Sequence, residues 1–177
     1  MRLCRTDPAT GGQRGFSLVE MLVAIAIVGL ISAGIAMLIS QLITGNTRTS
    51  NHMIAVRQVQ QAGKQVSQDT MQAQQIVLGP NDGFPLLFHW TDMGGVANNI
   101  TYTLTEGGEL LRTHVRDPGS SDSRVIAQYI VAGETSCSPL DGESDPGGVV
   151  LNVTASVGSG PYEGRETREY LAERRPD

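Results

Sequence analysis

Glu20 is a single carboxylate at the mouth of a long apolar stretch. From Met21 to Ile31 every residue is apolar or glycine, only Ser32 interrupts as far as Ile39, and the stretch ends at Ile43. A lone carboxylate in such a run costs about 2.5–3.5 kcal/mol at a bilayer centre and less near an interface, so it requires a cationic partner or the headgroup layer. Gly15 and Phe16 lie just ahead, preceded by Arg2, Arg5 and Arg14, which only Asp7 opposes. Gly15 has no side chain, so another molecule can approach its backbone closely. The remaining candidates for chemistry form no constellation. His52, His89 and His114 are far apart, with no partner at i, i+4 and no cysteine at metal spacing. No G-x-S-x-G, H-E-x-x-H or phosphate-loop pattern occurs. No catalytic residue, metal ligand or cofactor is therefore expected, and the chain does not read as an enzyme. Asp141-x-Glu143-x-Asp145 has the spacing of the first ligands of a calcium loop. Pro146 stands where that loop needs glycine and the twelfth-position glutamate is missing, so a plain acidic loop is expected. Asn99-Ile-Thr101 and Asn152-Val-Thr154 have the form of glycosylation acceptors, a pattern that chance supplies often.

The element that positions Glu20 is a helix. Residues 16–39 give a helix roughly 36 Å long, enough for a hydrocarbon core of roughly 30 Å. Basic residues flanking a first apolar run stay in the cytoplasm, which places the rest of the chain outside it. A secretory signal peptide fails on order: its small-residue cleavage site follows an apolar stretch of 7–15 residues, whereas the Gly-Phe junction here comes first and the run is longer. Thr44-Gly45-Asn46-Thr47 offers no Ala-x-Ala site after Ile43, so the helix is expected to be retained.

Gly15-Phe16-Ser17-Leu18-Val19-Glu20 followed by an apolar helix resembles the type III signal of type IV pilins and type II secretion pseudopilins, over residues 14–43. The resemblance implies that a prepilin peptidase cuts between Gly15 and Phe16, removes residues 1–15 as a leader and methylates the new Phe16 amine. It implies that Glu20, one helical turn along, pairs with the Phe16 amine of a neighbouring subunit in a staggered bundle. Breaking such a buried pair typically costs 3–5 kcal/mol, which makes docking selective. The alternative is a Glu20 solvated by headgroups. The implied partners are the peptidase, other pilins or pseudopilins, an inner-membrane assembly platform and the lipid bilayer. The implied location is a single pass of the inner membrane with an extracytoplasmic carboxyl-terminal domain, reaching periplasm or cell surface in a filament. Many major pilins carry a proline part-way along this helix; none occurs between Phe16 and Val77. Tyr102-Thr-Leu104 and Leu110-Leu-Arg112 are similar to a Tyr-x-Leu … Leu-x-Arg hairpin of J-type minor pseudopilins, which implies a priming or tip subunit. Secretion pseudopilus, surface pilus and DNA-uptake pilus stay open. The competing class is a membrane-anchored binding or enzymatic domain that uses the helix as a tether.

The rest of the chain is a polar domain. Of 177 residues 40% are hydrophobic and the net charge is −5; losing the three arginines and one aspartate of the leader makes it −7. That argues against direct nucleic-acid binding through phosphate neutralisation. Cys4 lies in the leader, leaving Cys137 alone, so no internal disulfide can form in a processed chain. Val56, Val59, Gly63, Val66, Thr70, Ala73 and Val77 recur in steps of three and four, the stripe of a packed helix, with glutamines on its solvated face. This amphipathic continuation is expected over residues 44–79, about 95 Å of helix in all if unbroken from residue 16 to 78, loosened at 44–47 and stopped by Gly79-Pro80. Beyond it the period changes to two. Strands are expected at 84–90, 100–105, 110–115, 125–131 and 149–157, with turns at 117–123 and 133–148, and a last short strand or helix after Gly158. Four or five mostly antiparallel strands laid on the helix give an α+β fold, with residues 80–177 as the head.

Overall fold

The computed structural model describes residues 15–117, 119–143 and 145–175; the expected leader, residues 1–15, lies outside them except for Gly15. The fold is α+β. Helix α1 runs from Leu18 to Gln72 and divides between two compact units at Ile43/Thr44.

In the first unit α1 exposes its apolar side chains all round. Phe16 is 85% exposed, and the residues from Leu18 to Ile43 that are large and apolar are exposed with it. Leu, Ile, Met and Ala favour helix and no proline intervenes. The segment is long and apolar enough to cross a membrane, and none of its most apolar window is buried within the protein.

The second unit lays two antiparallel sheets on the rest of α1. Strands β1 (Gln75–Gly79), β2 (Gly83–Thr91), β3 (Ala97–Leu104), β4 (Leu110–Asp117) and β5 (Ser120–Ala127) form one sheet in chain order. Strands β6 (Ser136–Pro139), β7 (Gly148–Val157) and β8 (Gly164–Glu173) form the other. The helix buries Ala55, Val59, Ala62, Gly63, Val66, Asp69 and Thr70, while Gln60, Gln61, Gln68 and Gln72 face solvent. Gly63 is a point of close approach: a Cβ there would meet the Tyr170 ring of β8. Phe88, Leu86, Ile76, Ile100, Tyr102, Leu110 and Leu151 fill the core, and the rings of Phe88 and Tyr102 meet edge to face at 5.9 Å. The sheets join where Cys137 N–H donates to Asp82 O at 2.7 Å. Gly83 beside it has φ +86° and no room for a side chain against Cys137, so glycine is required there.

Several boundaries differ from the sequence reading. The helix ends at Gln72, short of residue 79. Gln74 N–H donates to His89 O and the chain enters β1, where Ile76 is buried and Val77 exposed. Gly79-Pro80 ends β1 instead of the helix. Thr44-Gly45-Asn46-Thr47 does not interrupt α1. Among the described residues the head has eight strands, in sheets of five and three, rather than four or five. Two of them, β1 and β6, have only five and four residues, too short for alternation to declare itself. The segment after Gly158 contains a ten-residue strand, β8, whose alternating arginines and glutamates hid its period.

Candidate functional site

The amino-terminal junction is exposed and unencumbered. Gly15 and Phe16 precede the first helical residue, and Phe16 is open to solvent. A side chain added at Gly15 would meet nothing within 4 Å. Nothing among the described residues therefore requires glycine at this position. The same holds for Gly29 and Gly34, where a smooth helix surface admits a second helix closely. Ser17 O accepts the first helical hydrogen bond, from Met21 N–H at 3.1 Å. Glu20 is the third residue of α1 and its acidic first-turn residue. Ser17 and Glu20 thus stand at the spacing of a capping box, and the carboxylate complements the positive end of the helix. This spacing escaped the sequence reading. Its carboxylate is exposed, and no cation among the described residues forms an ion pair with it.

A second cluster lies inside the head. The β3–β4 register sets Tyr102 opposite Arg112, and Leu104 opposite Leu110. Alternation turns all four to one face of the sheet, where Tyr102 and Arg112 meet the buried Asp69 of α1. Arg112 grips Asp69 with both arms of its guanidinium, Nε to Oδ2 at 2.8 Å and the second nitrogen to Oδ1 at 3.0 Å, and the Tyr102 hydroxyl donates to the same Oδ2. Such a bidentate, charge-assisted pair fixes geometry as well as charge. Burial, and then the Asp69 charge, raise the Tyr102 pKa above the ordinary phenol value. Burial alone would lower that of Arg112, but the hydrogen bonds and charge of Asp69 more than offset it. Asp69 went unnoticed in the glutamine-rich helix. It lies three residues after Val66, at stripe spacing, and an inward Tyr and Arg on one hairpin require an acid opposite them.

The other candidates have structural partners. His52 Nδ1 lies 3.1 Å from Arg165 O, His89 Nδ1 lies 2.7 Å from Asn99 Oδ1, and His114 Nε2 lies 3.0 Å from Asn98 Oδ1. His114 also stacks on Trp90, and burial followed by the charges of Arg112 and Arg116 lowers its pKa. Asp141 accepts backbone N–H groups of Glu143 and Gly147, and Asp145 accepts that of Ile76 at 3.0 Å. Asp141 thus serves the backbone of its own loop, and Asp145 ties that loop to β1 and to Arg174. Among the described residues no group of three His, Cys, Asp or Glu side chains is placed to hold a metal.

A protein-family model described as the prokaryotic N-terminal methylation motif matches residues 11–36. The chain carries the pilin-type methylation motif. The match covers the amino-terminal segment alone and supports its likeness to type IV pilins and pseudopilins. No curated protein and no solved structure matches the chain.

Proposed function

We propose that the protein is a structural pilin or pseudopilin subunit, cut between Gly15 and Phe16, methylated on the Phe16 amine and held in the inner membrane until it joins a filament. The observation that carries this reading is that the methylation motif opens directly onto a helix with no apolar face covered from within. Lipid and other subunits' helices are the two surroundings that cover such a segment at low cost. The open surroundings of Gly15 support a demand from outside the chain, namely the peptidase seating its backbone. Glu20 docks on a neighbour's Phe16 amine, and the assembly platform and other pilins complete the machine. The head then faces the extracytoplasmic side.

Within the family we favour a minor subunit of the J type. The Tyr102 and Arg112 hairpin supports this, since both residues act together on Asp69 and so mark one way of fixing a head to its helix.

Glu20→Gln tests the assembly step. The amide keeps the side chain's shape and its ability to accept a hydrogen bond but carries no charge. Processing to Phe16 is expected to continue while incorporation into filaments, read by immunoblot of sheared filaments from a complemented deletion strain, falls at least about tenfold, as loss of a buried pair worth several kcal/mol requires. Normal incorporation of this variant would refute pairing through Glu20.

A further inference from the structure

The base of the head holds a cleft of about 640 Å³ between the start of its helical segment and the β7–β8 connection, lined by Arg48, Thr49, His52, Glu163, Gly164 and Arg165 among others. Its walls are fixed. Gly164 lies so close to the backbone at Asn51 and His52 that no side chain would fit. Asn51 donates to Tyr162 O at 2.7 Å, and the His52 ring meets Arg165 O. Most charges around it are already matched: Arg165 pairs with Glu134, and Glu166 accepts from Arg168 Nε at 2.7 Å. Two groups are left. Arg48 makes no ion pair or hydrogen bond with its side chain among the described residues. Glu163 uses Oε1 to accept from Ser156 and forms no ion pair among the described residues.

Depth identifies the occupant. Arg48 follows Ile43, the last residue of the apolar unit, by five residues, about 7.5 Å of helical rise. The headgroup layer on each side of a hydrocarbon core is about 5–7.5 Å thick, and an arginine just beyond it extends its guanidinium back to the phosphates. Tyr162, 42% exposed on the same connection, is the kind of residue that settles at a membrane interface. One unmatched cation and one unmatched carboxylate in a cleft at this level complement a headgroup carrying a phosphate and a primary ammonium.

We propose that this cleft seats the headgroup of an aminophospholipid of the outer leaflet, with Arg48 on the phosphate and Glu163 on the ammonium, so that lipid orients the head before assembly. The proposal rests on residues 18–43 spanning the bilayer. The full chain is reconstituted in nanodiscs of phosphatidylcholine with added phosphatidylethanolamine or phosphatidylglycerol, and retained lipid is counted by native mass spectrometry; protease protection of the two faces separately reads the span. Phosphatidylethanolamine is expected to be retained about five-fold over phosphatidylcholine, the yield of one half-exposed ion pair, and above phosphatidylglycerol. Arg48→Gln and Glu163→Gln, both in exposed or half-exposed positions, should each remove that preference with the thermal unfolding of the head unchanged. Equal retention of the three lipids, a preference that survives both substitutions, or displacement of the lipid by inorganic phosphate would overturn the proposal even with the span intact.

Discussion

At the scale of single residues, the clearest case is the Asp69–Arg112–Tyr102 cluster. Its hydrogen bonds are satisfied from both sides, so removing one charge leaves the other buried and unmatched. Asp69→Asn is expected to destabilise the head by about 3–5 kcal/mol, measured by denaturant unfolding of the full chain in detergent. Replacing all three by apolar residues, as Asp69→Leu with Arg112→Leu and Tyr102→Phe, should cost far less or even stabilise. A single variant that proves neutral would show the cluster to be idle. Cys137 gives a pH dependence. Burial pushes its thiol from 9.0 up to about 12, and the Tyr102 hydroxyl shifts in the same direction. Such acids ionise more readily in the unfolded chain. Their contribution is intact below pH 9 and is lost as pH rises from 9 toward 12. The melting temperature should therefore fall across that interval, and iodoacetamide should label Cys137 only in unfolded protein.

Among the elements, α1 does two jobs with one backbone, and its glycines separate them. In an exposed helix interior, alanine is favoured over glycine by about 0.8–1.0 kcal/mol. Gly45 has nothing within 4 Å of an added Cβ, so Gly45→Ala should gain that amount. At Gly63 the added carbon meets the Tyr170 ring, and overpacking costs about 1–3 kcal/mol. Gly63→Ala should therefore lose stability on balance. Opposite signs in the melting temperatures of the two variants check the packing of helix on β8. The same helix shows what a sequence discloses and what it does not. Its stripe at Val59, Gly63, Val66 and Thr70 follows from side-chain periodicity, and its first half from the length of an unbroken apolar run. Its end does not, because no breaker stands at Gln72; long-range pairing of Gln74 and β1 with β2 ends it. The breaker at Gly79-Pro80 belongs to a hairpin, and only the partner strand distinguishes the two.

At the scale of the whole molecule, the apolar helix, the period-two head and the junction at Gly15–Phe16 were legible because each is written in contiguous residues. The Asp69 cluster and the cleft beside Arg48 were not, since they bring together residues 33–43 and over 100 positions apart. The central claim remains chemical and local: the chain works as a subunit released at its own fifteenth residue. Intact mass spectrometry with amino-terminal sequencing of the protein purified from cells that co-express a prepilin peptidase tests it most directly. The account predicts a single species beginning at Phe16 with one methyl group on its amine, and the full-length chain when the peptidase is absent. An unprocessed amino terminus despite active peptidase, or a cut beyond Ile43 that discards the helix, would contradict it.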